Sequence, residues 1–177
     1  RYYSTIKHFK ELNKLEKEVT SQDSLLYNLC RPERLLELMF RFILFDDGIK
    51  KICRYQQYFA ITKTMKRIEK IGSDGKRKGG VIWHTQGSGK SLTMVMLAEM
   101  IALSKKIKNQ KIILVTDRID LNSQITETFQ KCNIPVEEAA TGKHLIELIK
   151  SPSDSVITTI INKFKAAVNQ EPEGFNS

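Results

Sequence analysis

Apolar residues recur at helical spacing in the first third of the chain. From Pro32 to Gly48 the pattern predicts an amphipathic docking helix, because its apolar residues fall on one face. These residues are Leu35, Leu38, Met39, Phe42 and Ile43. Asp46 and Asp47 are interpreted as the solvated end of this helix, and a metal-binding acidic pair after a strand is the alternative.

Two other stretches before residue 80 have helical character. Residues 1–30 predict a lead-in with a loose helical stripe and a turn or helix cap at residues 21–24. A helix is predicted from Arg54 until Gly72 ends it. The lead-in stripe is Ile6, Phe9, Leu12 and Leu15, and the inward residues of the second helix are Phe59, Thr62, Met65 and Ile68.

Short apolar runs separated by helical patterns predict an α/β fold with a parallel sheet flanked by helices. Residues 81–84 predict a short buried strand, 112–115 a strand buried on both faces, and 156–160 another buried strand. Residues 136–140 give a weaker strand. The intervening helices are predicted around Leu121, Ile125 and Phe129, over residues 145–149, and over residues 162–168, with a turn at 151–154 and a loop at 170–174.

Composition is typical of one soluble globular domain, but the charge is not balanced. The 177 residues are 41% hydrophobic and 28% charged, and 29 Lys and Arg against 20 Asp and Glu give a formal net charge of +9. This excess predicts a polyanionic partner, nucleic acid before membrane, with solvated surface lysines as the alternative. Three cysteines without metal-ligand spacing indicate a reducing cytoplasm, and a first residue other than Met is consistent with a piece of a longer protein.

A glycine-rich turn joins the strand predicted at 81–84 to a helical stripe. The turn reads Gly87-Ser88-Gly89-Lys90-Ser91, and the stripe consists of Leu92, Val95, Met96, Met100 and Leu103. In this setting backbone N–H groups can surround a phosphate, Lys90 can reach the outer phosphates, and the Ser91 hydroxyl can ligate Mg2+. The turn therefore predicts binding of ATP or another nucleoside triphosphate with Mg2+. His84 stands where the general pattern has its first glycine, and a glycine turn that merely precedes a lysine is the alternative.

A second group of polar residues lies where ligands collect in open α/β sheets. Thr116, Asp117 and Arg118 come between a predicted strand and a predicted helix. The alternative is a helix N-cap at Asp117 and a surface cation at Arg118. The loop at residues 73–80 and its approach from Lys63 are strongly basic, which suggests a surface for phosphates.

Three motifs together resemble the motor subunit of type I restriction enzymes, a superfamily 2 ATP-dependent DNA translocase. The motifs lie in residues 54–60, 80–94 and 115–124. The second is the most specific, because Trp83-His84-Thr85-Gln86 before the glycines is that family's form of the loop. The resemblance implies a P-loop, RecA-like motor domain in residues 51–177, incomplete in this chain, preceded by a helical linker in residues 1–50.

The resemblance also implies roles for individual residues. Gln57 is expected to recognise the adenine edge with Arg54 nearby, and Gln86 to Ser91 to bind ATP, with Lys90 catalytic and Ser91 on Mg2+. Thr116, Arg118 and Lys163 are expected near the DNA backbone. The implied partners are double-stranded DNA and the modification and specificity subunits of a restriction complex, with no membrane.

The functions that stay open at this point differ in class. The acidic Asp-Glu-x-His motif of the family, its nuclease residues and its second motor domain are absent from this chain. The alternatives are a P-loop phosphotransferase acting on a small molecule, a non-catalytic nucleotide sensor, and another superfamily 2 helicase or translocase.

Overall fold

A computed structural model describes residues 20–107 and 110–171. The predicted stripe of residues 6–15 and most of the predicted loop at 170–174 lie outside these ranges. Within them, no helix combines the length and apolarity needed to cross a membrane. The helices are α1 (Ser21–Cys30), α2 (Pro32–Arg41), α3 (Tyr55–Ile68), α4 (Lys90–Ala102), α5 (Ile119–Lys131), α6 (Gly142–Lys150) and α7 (Ile161–Gln170), and the strands are β1 (Ile43–Asp46), β2 (Ile49–Ile52), β3 (Lys111–Thr116), β4 (Val136–Glu138) and β5 (Ser155–Ile160).

The centre of the fold is a three-stranded parallel sheet in the order β3-β5-β4. Helices cover both of its faces. Val156 packs in one apolar cluster with Ile125 and Phe129 of α5, while the next residue, Ile157, packs in a second cluster with Leu145 of α6. Successive residues of a strand point to opposite faces, which explains why β5 is apolar almost throughout. The predicted α/β class with a parallel sheet is confirmed.

The prediction of one helix from Pro32 to Gly48 is wrong beyond Arg41. Residues 43–52 instead form an antiparallel hairpin, β1–β2, in which Asp46 pairs with Ile49. Asp47 and Gly48 both have positive φ, 51° and 75°, as a two-residue hairpin turn requires. The Asp-Gly turn decides the local structure here, and the helical period that runs into Phe42 and Ile43 does not. Asp46 and Asp47 are therefore at a hairpin turn and do not end a helix.

The predicted buried strand at residues 81–84 is also not formed. The segment has no regular secondary structure and no partner strand among the described residues, and Val81 and Trp83 are 90% and 89% exposed. A strand needs a neighbour for its N–H and C=O groups, and the sheet that β3 begins does not reach this segment.

The first helices pack on the same core as α3 and α4. Leu38 and Phe42 are buried together with Tyr58, Ile61 and Met96. The other apolar residues predicted for the inner face of α2, Leu35 and Met39, are 43% and 55% exposed, and Leu38 is the one residue of this helix that is buried. The predicted boundary between residues 50 and 51 falls within β2, and the division into a linker and a motor domain stays a prediction.

Candidate functional site

The glycine turn leads directly into α4, as the sequence predicts. Gly87 has φ of 74° and Gly89 has φ of 80°, in the left-handed region that L side chains rarely adopt. Gly89 is the N-cap of α4, and no side chain caps the helix there. The first N–H groups of a helix have no partner within it, so the glycine turn presents unpaired donors next to Lys90 and Ser91.

Three donors of the turn converge on one acceptor, the backbone carbonyl oxygen of Thr85. The Ser88 hydroxyl donates to it at 2.7 Å, the Lys90 Nζ at 3.0 Å and the Ser88 N–H at 3.3 Å. Lys90 is otherwise exposed. The cation predicted for phosphate binding is thus held at the turn by a neutral oxygen.

Gln57 joins α3 to this turn. Its side chain is only 4% exposed, its Nε2 donates to the Gly89 carbonyl at 2.9 Å and to the Thr93 hydroxyl at 3.2 Å, and its Oε1 accepts from the Arg54 N–H at 2.7 Å. A Cβ atom on Gly89 would lie 2.8 Å from Gln57 Nε2, so any other residue at position 89 would displace the carboxamide. The structure thus brings Arg54 and Gln57 to the predicted loop.

Sequence reasoning missed the two threonines that complete this arrangement. Thr93 is 4% exposed, and its hydroxyl also donates to the Gly89 carbonyl at 2.9 Å. A threonine four residues after the N-cap, on a face that is otherwise apolar, was a usable signal because such hydroxyls often bond to the carbonyl one turn earlier. The role of Thr85 could not be read from its side chain, because the carbonyl makes the contacts.

A buried polar cluster lies beside Gln57 on α3. The Tyr58 hydroxyl donates to Glu37 Oε2 of α2 at 2.7 Å, and the Arg34 guanidinium lies 4.5 Å from the centre of the Tyr58 ring. Burial and the Glu37 carboxylate raise the pKa of Tyr58 to about 12, and the same two causes raise the pKa of Cys53 to about 12. Adjacent residues of α3 therefore contact α2 on one side and the glycine turn on the other.

The residues predicted near DNA lie at the carboxyl ends of two neighbouring strands. Thr116 ends β3 and pairs in register with Ile160, which ends β5. The Thr116 hydroxyl donates to the Arg118 carbonyl at 3.2 Å, and Lys163 Nζ donates to the Ala139 carbonyl at 2.9 Å. The structure thus places Thr116, Arg118 and Lys163 at the carboxyl ends of the strands, and Arg118 is exposed there.

The alternative N-cap at Asp117 is wrong. Arg118 occupies the N-cap position of α5, and it makes no side-chain capping bond. Asp117 is exposed one residue earlier.

The Ser91 hydroxyl is half-buried in the first turn of α4. Hydroxyl oxygen is a suitable ligand type for Mg2+, which prefers oxygen ligands and usually shares them with phosphates and water. In the ranges that the structure covers, no three His, Cys, Asp or Glu side chains are grouped so as to hold a metal ion.

Comparison with known proteins gives a family and a set of relatives. The sequence pattern of SWI2/SNF2 ATPases matches residues 56–176. The type I restriction enzyme HindI endonuclease subunit of Haemophilus influenzae is 35% identical over 173 residues, which covers 86% of this chain and 15% of the relative. The putative type I restriction enzyme MjaIXP endonuclease subunit of Methanocaldococcus jannaschii is 34% identical over 149 residues, covering 82% and 14%. An endonuclease subunit from Staphylococcus aureus is 27% identical over 159 residues, covering 88% and 16%.

These relatives confirm the resemblance seen in the motifs. They are type I restriction enzyme endonuclease subunits, similar to this chain at 27% to 35% identity over most of its length. The chain spans about 15% of the length of the curated relatives it matches.

Proposed function

This chain belongs to the SWI2/SNF2 ATPase family, and we propose that it is the ATP-binding part of the DNA-translocating, DNA-cleaving subunit of a type I restriction enzyme. The observation that carries the proposal is the glycine turn at the start of α4. There Gly87 and Gly89 have positive φ, and Lys90 is exposed beside them.

The turn is the proposed site for ATP. Residues 86–89 would surround the phosphates with backbone N–H groups, and Lys90 would exchange the Thr85 carbonyl for phosphate oxygens. The Ser91 hydroxyl would ligate the Mg2+ that ATP carries, and this ion would neutralise phosphate charge when bound. Arg54 and Gln57 support an adenine site next to the turn, because Gln57 contacts Gly89 and its carboxamide offers both a donor and an acceptor.

The surface formed by Thr116, Arg118 and Lys163 at the carboxyl ends of the strands is the proposed contact with duplex DNA. Arg118 is exposed, and Lys163 lies at the start of α7. Cations and hydroxyls on this surface can contact phosphate oxygens. Such contacts position a duplex without reading its sequence. The recognised DNA site would then be read by another subunit.

The rest of a longer protein would supply what this chain lacks for turnover. The free edge of β3 and the exposed apolar residues 81–83 both suit additional strands of the same sheet, which would make this an incomplete RecA-like domain. Modification and specificity subunits are the proposed partners, and the bacterial or archaeal cytoplasm is the proposed location.

The test is ATP hydrolysis by the longer protein that contains this chain, with and without duplex DNA. We expect duplex DNA to stimulate turnover, and we expect Lys90→Ala to abolish tight ATP binding without unfolding the protein. Lys50→Ala, which removes an exposed lysine of β2, is the matched control. Phosphate transfer to a small molecule without any response to DNA would favour a phosphotransferase, and unchanged turnover in Lys90→Ala would rule out the site.

A further inference from the structure

Nine cations from three separate segments lie at one end of the molecule. Four Lys and Arg are in residues 63–70 of α3 and the residues just after it, three are in 76–78, and two are at 105–106, and all nine are exposed. Only Glu69 and Asp74 oppose them in these stretches. We call these nine residues the basic end.

The three segments are joined by contacts that leave most of the charges uncompensated. Arg67 Nε donates to the Gly79 carbonyl at 2.6 Å, and Arg77 donates to the carbonyls of Ile68 at 2.6 Å and Lys106 at 3.5 Å. Carbonyl oxygens hold the guanidinium groups in place but do not neutralise them. Glu69 is already paired with Lys106 at 2.9 Å, and the other lysines of the basic end are exposed to solvent.

The end of α3 and the connector after α4, which carry most of the basic end, are remote from both sites of the proposed function. Helices α3 and α4 lie side by side, since Gln57 contacts Gly89 at their start and Glu69 lies 3.4 Å from the Ser104 hydroxyl at their end. The 13 residues of α4 therefore separate Lys105 and Lys106 from the glycine turn by about 20 Å, whereas Lys63 lies nearer to it, in one open cleft with Lys78 and His84. The connector after α4 leads into the amino end of β3, whereas Arg118 follows its carboxyl end.

We propose that the basic end is a second, sequence-independent surface for the phosphate backbone of a nucleic acid duplex. Seven of its nine cations are lysines. Lysine is depleted at interfaces between proteins, whereas clustered Lys and Arg are what phosphate contacts use. The same chemistry therefore favours a nucleic acid over an acidic protein, and the surface would hold DNA independently of the nucleotide site.

The experiment measures the affinity of the longer protein that contains this chain for a duplex of arbitrary sequence as a function of salt. The variant is Lys66→Gln with Lys105→Gln, because these lysines lie on two segments that border one open cleft of about 460 Å3 and they make none of the joining contacts. Lys50→Gln with Lys143→Gln removes two exposed lysines outside the basic end and is the control.

We expect the slope of log K against log salt to fall by about 1.8 in the variant, since each phosphate contact contributes about 0.9. Affinity at about 0.1 M salt should fall at least about tenfold in the variant, and less than about twofold in the control. The same loss should appear when Arg118→Gln and Lys163→Gln are already present. This result would distinguish the basic end from the DNA contact proposed at Thr116, Arg118 and Lys163.

Three results would overturn the proposal. Equal losses in variant and control would show a general charge effect. A loss that disappears in the Arg118→Gln and Lys163→Gln background would show a single surface. Binding of polyglutamate as tightly as a duplex of equal charge would assign the basic end to an acidic protein.

Discussion

At the scale of single residues, Gln57 makes more contacts with the chain than a surface glutamine on a helix would. Its carboxamide satisfies Arg54, Gly89 and Thr93, and its side chain is buried. A role in adenine recognition stays a prediction, and it requires that one of these hydrogen bonds be exchanged for the base.

Gln57→Ala should lower the free energy of unfolding by about 2 kcal/mol, because buried donors and acceptors lose their partners. It should also weaken selection of ATP over GTP in the longer protein. Gln56→Ala changes the exposed neighbour and should shift stability by less than about 0.5 kcal/mol. Urea unfolding and competition binding measure the two effects. If Gln57→Ala is as stable and as selective as Gln56→Ala, the carboxamide has neither role.

The three cysteines should differ in reactivity for a physical reason. Cys30 is exposed, whereas Cys53 and Cys132 are buried, and burial is the largest cause that raises the pKa of both thiols. The thiolate is the reactive form, so a thiol reagent at about pH 8 should modify one cysteine quickly and two only after denaturant is added. Cys30→Ser should remove the fast phase. Fast modification of two or three thiols in the folded chain would contradict the burial of Cys53 and Cys132 in the core.

The pKa of Cys53 has a consequence for the pH dependence of stability. It is raised from 9.0 to about 12, so the folded chain holds this proton at pH values where the unfolded chain has lost it. The contribution to stability is complete below about pH 9 and is lost as the pH rises toward about 12. Urea midpoints should therefore fall in this window, and less steeply in Cys53→Ala.

At the scale of elements, the β1–β2 hairpin depends on its turn. Gly48 has φ of 75°, and a Cβ added there would meet no atom within 4 Å, so Gly48→Ala has only a conformational cost, about 1 to 2 kcal/mol. Gly79→Ala is the control, because Gly79 also has open space and its φ is not positive. Denaturant unfolding measures both. Equal effects of the two substitutions would mean that the turn is not strained by a side chain.

The elements that the sequence predicted well are those whose signals are local. The capped or glycine-bounded helices and the β-branched run at Val156–Ile160 appear where the pattern puts them. The hairpin was missed because its apolar residues continue the period of α2, although Asp47-Gly48 carried the decisive signal. Residues 81–84 were predicted as a strand from a short apolar run bounded by glycines, and such a run cannot supply a neighbouring strand.

The site could be predicted in part for the same reason. The turn from Gly87 to Ser91 is a local motif, and its left-handed glycines follow from sequence. The burial of Gln57 depends on the packing of α3 against α4, and Gln57 and Gly89 are 32 positions apart in the chain. A single sequence gives no measure of that contact.

At the scale of the whole molecule, this chain should bind Mg-ATP weakly and hydrolyse almost none. Phosphoryl transfer by P-loop enzymes needs an acidic residue for Mg2+ and a group that orients water, in addition to the loop. The described residues offer only the loop. Steady-state hydrolysis should stay far below about 1 s−1, with or without duplex DNA, and Lys90→Ala should not change it. Turnover at enzyme-like rates that Lys90→Ala removes would show that the remaining groups are already in this chain.

The Thr85 carbonyl oxygen competes with any bound anion for the hydrogen-bond donors of the glycine turn. Because this oxygen already accepts from Ser88 and Lys90, an incoming anion must replace three hydrogen bonds. Its affinity is therefore the difference between the free energy of its own hydrogen bonds to the turn and that of the three bonds it replaces. We expect inorganic phosphate and sulfate, which satisfy few donors at once, to bind poorly. A triphosphate spans the whole turn and can replace all three, so the turn would discriminate by the length of the phosphate chain before any base is recognised.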